Sequence, residues 1–139
     1  MATRSTIAVQ HEDGTVSQIY CHFDGYPSHN GRILHENYTT LAKVEELISH
    51  SDMSILAKNI NPTGEHTFDN PEDDVCVYYG RDRGEDDTEA RTFENERHYR
   101  LATEWEEYNY LFKVDTWYLV PTNYHAEELE PLILTLTEA

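Results

Sequence analysis

Positive charge is scarce in this chain. Ten Lys and Arg stand against 27 Asp and Glu, a formal net charge of −17 over 139 residues. That excess repels phosphate backbones and anionic headgroups, which argues against direct nucleic-acid or membrane-surface binding. Cysteine is nearly absent, with only Cys21 and Cys76, both in strand-like apolar runs. The N-terminal MATRSTIAVQ holds no apolar stretch of signal-peptide length, so the two thiols read as buried and reduced, and the expected compartment is the cytoplasm. No run approaches the ~20 apolar residues of a membrane span. Phosphate-binding loops are missing too: there is no Gly-Lys-Ser/Thr and no GxGxxG opening a helix. A GxSxG elbow is also absent, and neither cysteine sits in a recognisable reactive setting.

What remains is globular. More than a third of the residues are apolar, ten tyrosines and two tryptophans are present, and the length suits one domain spanning residues 1–139. The residues from Thr6 to Gln10 and from Val16 to Phe23 read as strands joined through Glu12-Asp13-Gly14-Thr15, because Asp-Gly supplies the positive φ angles of a tight hairpin. Ile19, Cys21 and Phe23 fall on one face of the second strand, the face suited to the core. Leu34, Tyr38, Leu41, Val44 and Ile48 recur at helical spacing, with Thr39-Thr40 able to cap a second helix and divide the run. Residues 51–74 have weak periodicity and read mostly as loop.

The run from Val75 to Tyr79 alternates as a strand, and a charged loop covers 80–89. Phe93, Leu101 and Trp105 indicate a helix, and a second hairpin turns around Val114-Asp115-Thr116. The C-terminal run is ambiguous, since Pro131 interrupts a helical spacing of leucines. The sum is an α+β domain: a mixed or antiparallel sheet of two hairpins and a lone strand, with two or three helices packed on one face.

Three constellations carry candidate chemistry. The first is the loop after the second strand, where His22, Asp24, Tyr26 and Asn30 surround a Gly-Pro turn. Structured loops at strand ends are frequent binding sites. His22, Asp24, His29 and His35 also include metal-ligand residue types, but their spacing matches no compact zinc or iron motif, so no metal and no cofactor is assigned. The second is Tyr79-Gly80-Arg81-Asp82-Arg83-Gly84, where Tyr79, Arg81 and Arg83 offer an aromatic face and two guanidinium forks. Against that stands internal pairing of the arginines with neighbouring acids. The third is acid itself: fifteen carboxylates against five arginines from Glu65 to Glu107, concentrated in Glu72-Asp73-Asp74 and Glu85-Asp86-Asp87. A domain of this length is roughly 35–40 Å across, and duplex DNA of that length carries on the order of 20 phosphates. The charge therefore has the magnitude of a short DNA segment, and equally that of a well-solvated surface.

Several segments resemble a family of small, uncharacterised proteins of tailed bacteriophages and prophages. They are Thr3-Arg4-Ser5-Thr6-Ile7-Ala8, Ile19-Tyr20-Cys21-His22-Phe23-Asp24-Gly25-Tyr26-Pro27, Asn30-Gly31-Arg32-Ile33-Leu34, Tyr79-Gly80-Arg81-Asp82-Arg83-Gly84-Glu85 and Glu106-Glu107-Tyr108-Asn109-Tyr110-Leu111-Phe112. Phe23 stands where many relatives carry tryptophan. The resemblance implies a phage origin and expression in the bacterial host cytoplasm. It brings no catalytic residue.

Three functional readings follow. The first is an accessory protein that binds and modulates a host bacterial protein, including a DNA-binding or defence factor, through its acidic surface. The second is a small-ligand or nucleotide-signal binder in which the His22/Asp24/Tyr26/Asn30 loop and Tyr79/Arg81/Arg83 close one pocket. The third is a metal-dependent enzyme using His22, Asp24 and His29.

Overall fold

The computed structural model describes residues 3–102, 106–120, 129–133 and 136. Its elements in chain order are β1 (Ser5–Gln10), β2 (Val16–Cys21), a π-helical turn (Pro27–Gly31), α1 (Arg32–Asn37), α2 (Leu41–Ser49), β3 (Met53–Ile55), β4 (Val77–Tyr78), α3 (Tyr79–Arg83), β5 (Arg91–Phe93), α4 (Glu96–Ala102), β6 (Tyr108–Lys113), β7 (Thr116–Leu119) and β8 (Glu130–Pro131). The strands form one mixed sheet in the order β4-β3-β2-β1-β6-β7-β8, with β5 on the free half of β2. The fold class is α+β as expected. β1 pairs antiparallel with β2 and parallel with β6, which makes it the centre of the sheet.

The layering differs from expectation. Ile7, Val9, Ile19 and Cys21 point to one face, where Leu34 of α1 and Val44, Leu47 and Ile48 of α2 cover them. Ala8, Val16 and Leu111 point to the other, where Tyr99 of α4 packs with Val120. Helices therefore lie on both faces, and the successive residues Ser5 to Val9 of β1 are all buried, as expected of a strand covered on both sides.

Local chemistry accounts for most boundaries. The β1–β2 connection is a type I turn over His11–Gly14, closed by the Gly14 N–H donating to the His11 carbonyl at 3.0 Å. Only Gly14 takes positive φ, at +90°, so this is the three-residue bulged hairpin and not the tight Asp-Gly form. β2 ends at Cys21, two residues earlier than expected, because Asp24 turns the chain at φ +58°. Phe23 consequently leaves the core face and is 41% exposed. Thr40 caps α2, its side-chain oxygen accepting from Lys43 N at 3.3 Å.

β3 lies inside the stretch read as loop. The run from Val75 to Tyr79 contains only a two-residue strand, and its alternation is lost because Val75, Cys76, Val77 and Tyr78 are all buried. Tyr79 instead begins α3, which Gly84 ends at φ +74°. Phe93 belongs to β5, not to the following helix. Trp105 and the residues from Pro121 to Glu128 lie outside the described residues.

Candidate functional site

The two motif-bearing loops turn out to be mainly architectural. Asn30 is fully buried, and its amide donates to Phe23 O at 3.2 Å and to Ser5 Oγ at 3.4 Å. It braces the loop and presents nothing to a ligand. Gly25 presses against β1: its N–H donates to Thr3 O at 2.8 Å, its carbonyl accepts from the buried Tyr110 hydroxyl at 2.6 Å, and a Cβ there would lie 2.7 Å from Ser5 Cβ. His22 Nδ1 is 2.6 Å from the Tyr20 hydroxyl, and the ring stacks edge-on against Phe23. Tyr26 is exposed, with its ring against His29.

Arg81 is absorbed in the same way. Its guanidinium donates to Ile60 O at 2.6 Å, Cys76 O at 2.8 Å and both Asp82 oxygens at 2.9 and 3.1 Å, while lying over the Tyr78 ring. Asp82, whose side chain is 5% exposed, also accepts from Tyr78 N at 2.8 Å and lies 3.2 Å from His66 Nε2. Burial pushes its carboxyl up, but the Arg81 and Tyr78 hydrogen bonds outweigh burial and hold it below the ordinary value. His66 Nδ1 accepts from Glu72 N at 2.9 Å, so the ring bridges the 63–72 loop and Asp82. Arg83 lies over the Phe68 ring and 3.4 Å from Glu85. Tyr79 packs on Phe68. These contacts anchor the long 59–74 segment on α3.

Glu72 performs a similar task. Its carboxylate accepts from Thr63 N, Thr63 Oγ1 and Gly64 N at 2.8–3.2 Å, and these bonds, led by the Thr63 amide, hold its carboxyl below the usual range. Glu72 is thus a clasp closing the 63–72 loop, whereas Asp73, Asp74, Glu85, Asp86 and Asp87 are exposed. Asp74 and Asp87 take left-handed φ of +61° and +59°, a conformation aspartate tolerates better than most residues. Residues 61–89 hold ten carboxylates and two arginines, a net −8. Arg81 is committed to Asp82 and to the carbonyls of Ile60 and Cys76. Within the segment Asp73, Asp74, Glu85, Asp86 and Asp87 stand exposed on a backbone that internal contacts hold in place.

No family model, curated protein or solved structure matches the chain.

A cleft of about 400 Å³ opens beside this segment, between α1 and residues 71–75, with β3 and its continuation beneath. Asp24 and His29 reach it from the first loop, and Asp73 and Asp74 from the acidic segment. Tyr79, Arg81 and Arg83 are not among its walls, so this cleft is not the pocket expected from the two motif loops. Among the described residues no group of three or more His, Cys, Asp or Glu is placed to hold a metal ion. His22 is engaged with Tyr20, and His29 Nδ1 with Asn30 Oδ1 at 3.0 Å.

One arrangement escaped sequence reasoning. Ser17 Oγ lies 2.8 Å from His11 Nε2, whose Nδ1 lies 2.5 Å from Glu45 Oε2. The order is that of a nucleophile, base and orienting acid. Ser17, however, sits within β2, paired with Val9 on one side and Thr92 on the other. The neighbouring cleft of about 340 Å³ is lined by His11 and not by Ser17. The chain of contacts ties α2 to the β1–β2 hairpin. Its members lie 6 and 34 residues apart, and no local motif in the sequence announces them.

Proposed function

We propose that this chain is a phage accessory protein that binds and modulates a host bacterial protein, and that the acidic face over residues 61–89 is its contact surface. The observation that carries the reading is the way this face is built. A charge that served only solvation needs no fixed geometry, yet Glu72 clasps one loop and Arg81, Asp82 and His66 hold the segment down. A backbone held in place beneath exposed carboxylates loses less entropy on docking, and the charge it carries favours a basic partner surface. The partner class is a basic protein, with DNA-binding and defence factors as the kinds for which a phosphate-like charge array would compete.

The test is purification of the tagged chain from its bacterial host at low salt, followed by native mass spectrometry. It should run beside a variant carrying Asp73→Asn, Asp74→Asn, Asp86→Asn and Asp87→Asn. A stoichiometric complex with a basic protein, lost in the variant, is the expected result. A partner retained equally by both proteins would overturn the assignment of the face. A chain carrying only a small molecule would favour the ligand-binding reading.

A further inference from the structure

We infer that the cleft between α1 and residues 71–75 receives an arginine or lysine side chain of that basic protein. This inference rests on the partner reading above and adds where the partner inserts and with what chemistry. The cleft is not merely a group of acids. Its floor is apolar, formed by Ile33, Leu56 and Val75, and its rim carries Asp24, Asp73 and Asp74. A hydrocarbon stem ending in a cation matches both halves, because long basic side chains cover apolar surface while the charged head seeks polar partners. A compact inorganic cation or a short free amine would leave the floor wet.

The charge balance at the cleft favours a cation. The rim and the Glu72 clasp contribute four carboxylates against one cation, Lys58. Lys58 is 3.8 Å from Asp74, with both side chains more than half exposed, so their pairing is weak and easily exchanged. Asp24 supplies an independent observation. Its backbone holds φ +58°, and its carbonyl accepts from Asn30 N at 3.2 Å, while its carboxylate accepts no hydrogen bond from the described residues. An aspartate in a turn usually bonds its own backbone. Asp24 lines the cleft, and no donor among the described residues holds its carboxylate. At about 400 Å³ the cleft exceeds one side chain and accommodates the flanking backbone of an extended peptide.

The experiment is a nitrogen-15 NMR titration of the intact protein with a capped Gly-Gly-Arg-Gly-Gly peptide and its uncharged citrulline counterpart. The arginine peptide should shift the amides of His29, Ile33 and Val75, and the citrulline peptide should not. Asp24→Asn with Asp73→Asn should weaken binding about fivefold, the scale of one partly exposed ion pair. The double variant should fold, since asparagine suits left-handed φ at least as well as aspartate and Asp73 is exposed. Equal shifts with citrulline, unchanged affinity in the double variant, or shifts confined to Asp86 and Asp87 would each overturn the proposal. Full retention of the natural host partner by Asp24→Asn/Asp73→Asn, with loss in Asp86→Asn/Asp87→Asn, would remove the cleft while leaving the acidic-face reading standing.

Discussion

Replacing Arg81 with methionine tests whether the anchor under the acidic face is built as described. Methionine keeps a long apolar stem over Tyr78 but removes every donor. Ile60 O and Cys76 O each lose a partner, and Asp82 is left with a buried charge. Breaking a buried pair from one side costs about 3–5 kcal/mol. The Arg81 side chain is 21% exposed, which places the expected loss near the lower end, about 3 kcal/mol. Adding Asp82→Asn removes the orphaned charge while an amide oxygen can still accept from Tyr78 N. The double variant should therefore lose only about 1–2 kcal/mol, less than the single one. Urea unfolding at pH 7, followed by tryptophan fluorescence, reads these differences as midpoint shifts at constant slope.

The pH dependence carries a definite sign. The folded Asp82 value lies below its unfolded value of ~3.9. Its contribution is thus complete above about pH 4 and fades as pH falls through the folded value. The gap between wild type and Arg81→Met should narrow in acid, not in base. A loss below about 1 kcal/mol for Arg81→Met, the range of an exposed pair, would refute the anchor. So would a double variant less stable than the single one.

Other consequences are equally direct. The β6–β7 hairpin turns on Val114 at φ +47° and Asp115 at φ +64°, and Val114 is 80% exposed, so a β-branched residue is held in a conformation that suits glycine or asparagine. Val114→Asn with Asp115→Gly should stabilise the protein by about 1 kcal/mol and raise Tm by ~3–5 °C, read by calorimetry. Gly25→Ala should cost about 1–3 kcal/mol in the same assay, because its Cβ would meet Ser5 and the backbone of Thr3. Burial pushes the Cys21 thiol up to about 12 and raises Cys76 as well, so neither should react with an aromatic disulfide reagent at pH 8 until the protein unfolds. Rapid modification of the native protein would contradict that burial.

Legibility in the sequence followed element length. Both hairpins, the division of α1 from α2 at Thr39-Thr40 and the α+β class could be read from spacing and turn chemistry. β3 and β5 have three residues each and β8 has two, too few for a period to register against their surroundings. α3 was hidden by its own charges, since five residues of Tyr-Gly-Arg-Asp-Arg carry no apolar stripe. The roles of Arg81 and Asn30 depended on acceptors 21 and 25 residues away, Ile60 O and Ser5 Oγ, and adjacency in the chain suggested display where folding imposed burial. The acidic cluster was visible at once. Its internal division was not: Glu72 and Asp82 hold the structure, while Asp73, Asp74, Asp86 and Asp87 face solvent.

The most direct test of an acidic docking face is the association rate constant with the co-purified host protein, measured across ionic strength. Screening shortens from about 14 Å at 0.05 M salt to about 4 Å at 0.5 M. The rate should therefore fall by roughly tenfold or more over that range, and the four-asparagine variant should begin lower and fall less. A rate that is flat across salt, or the same slope in both proteins, would contradict the acidic face as the surface that meets the partner.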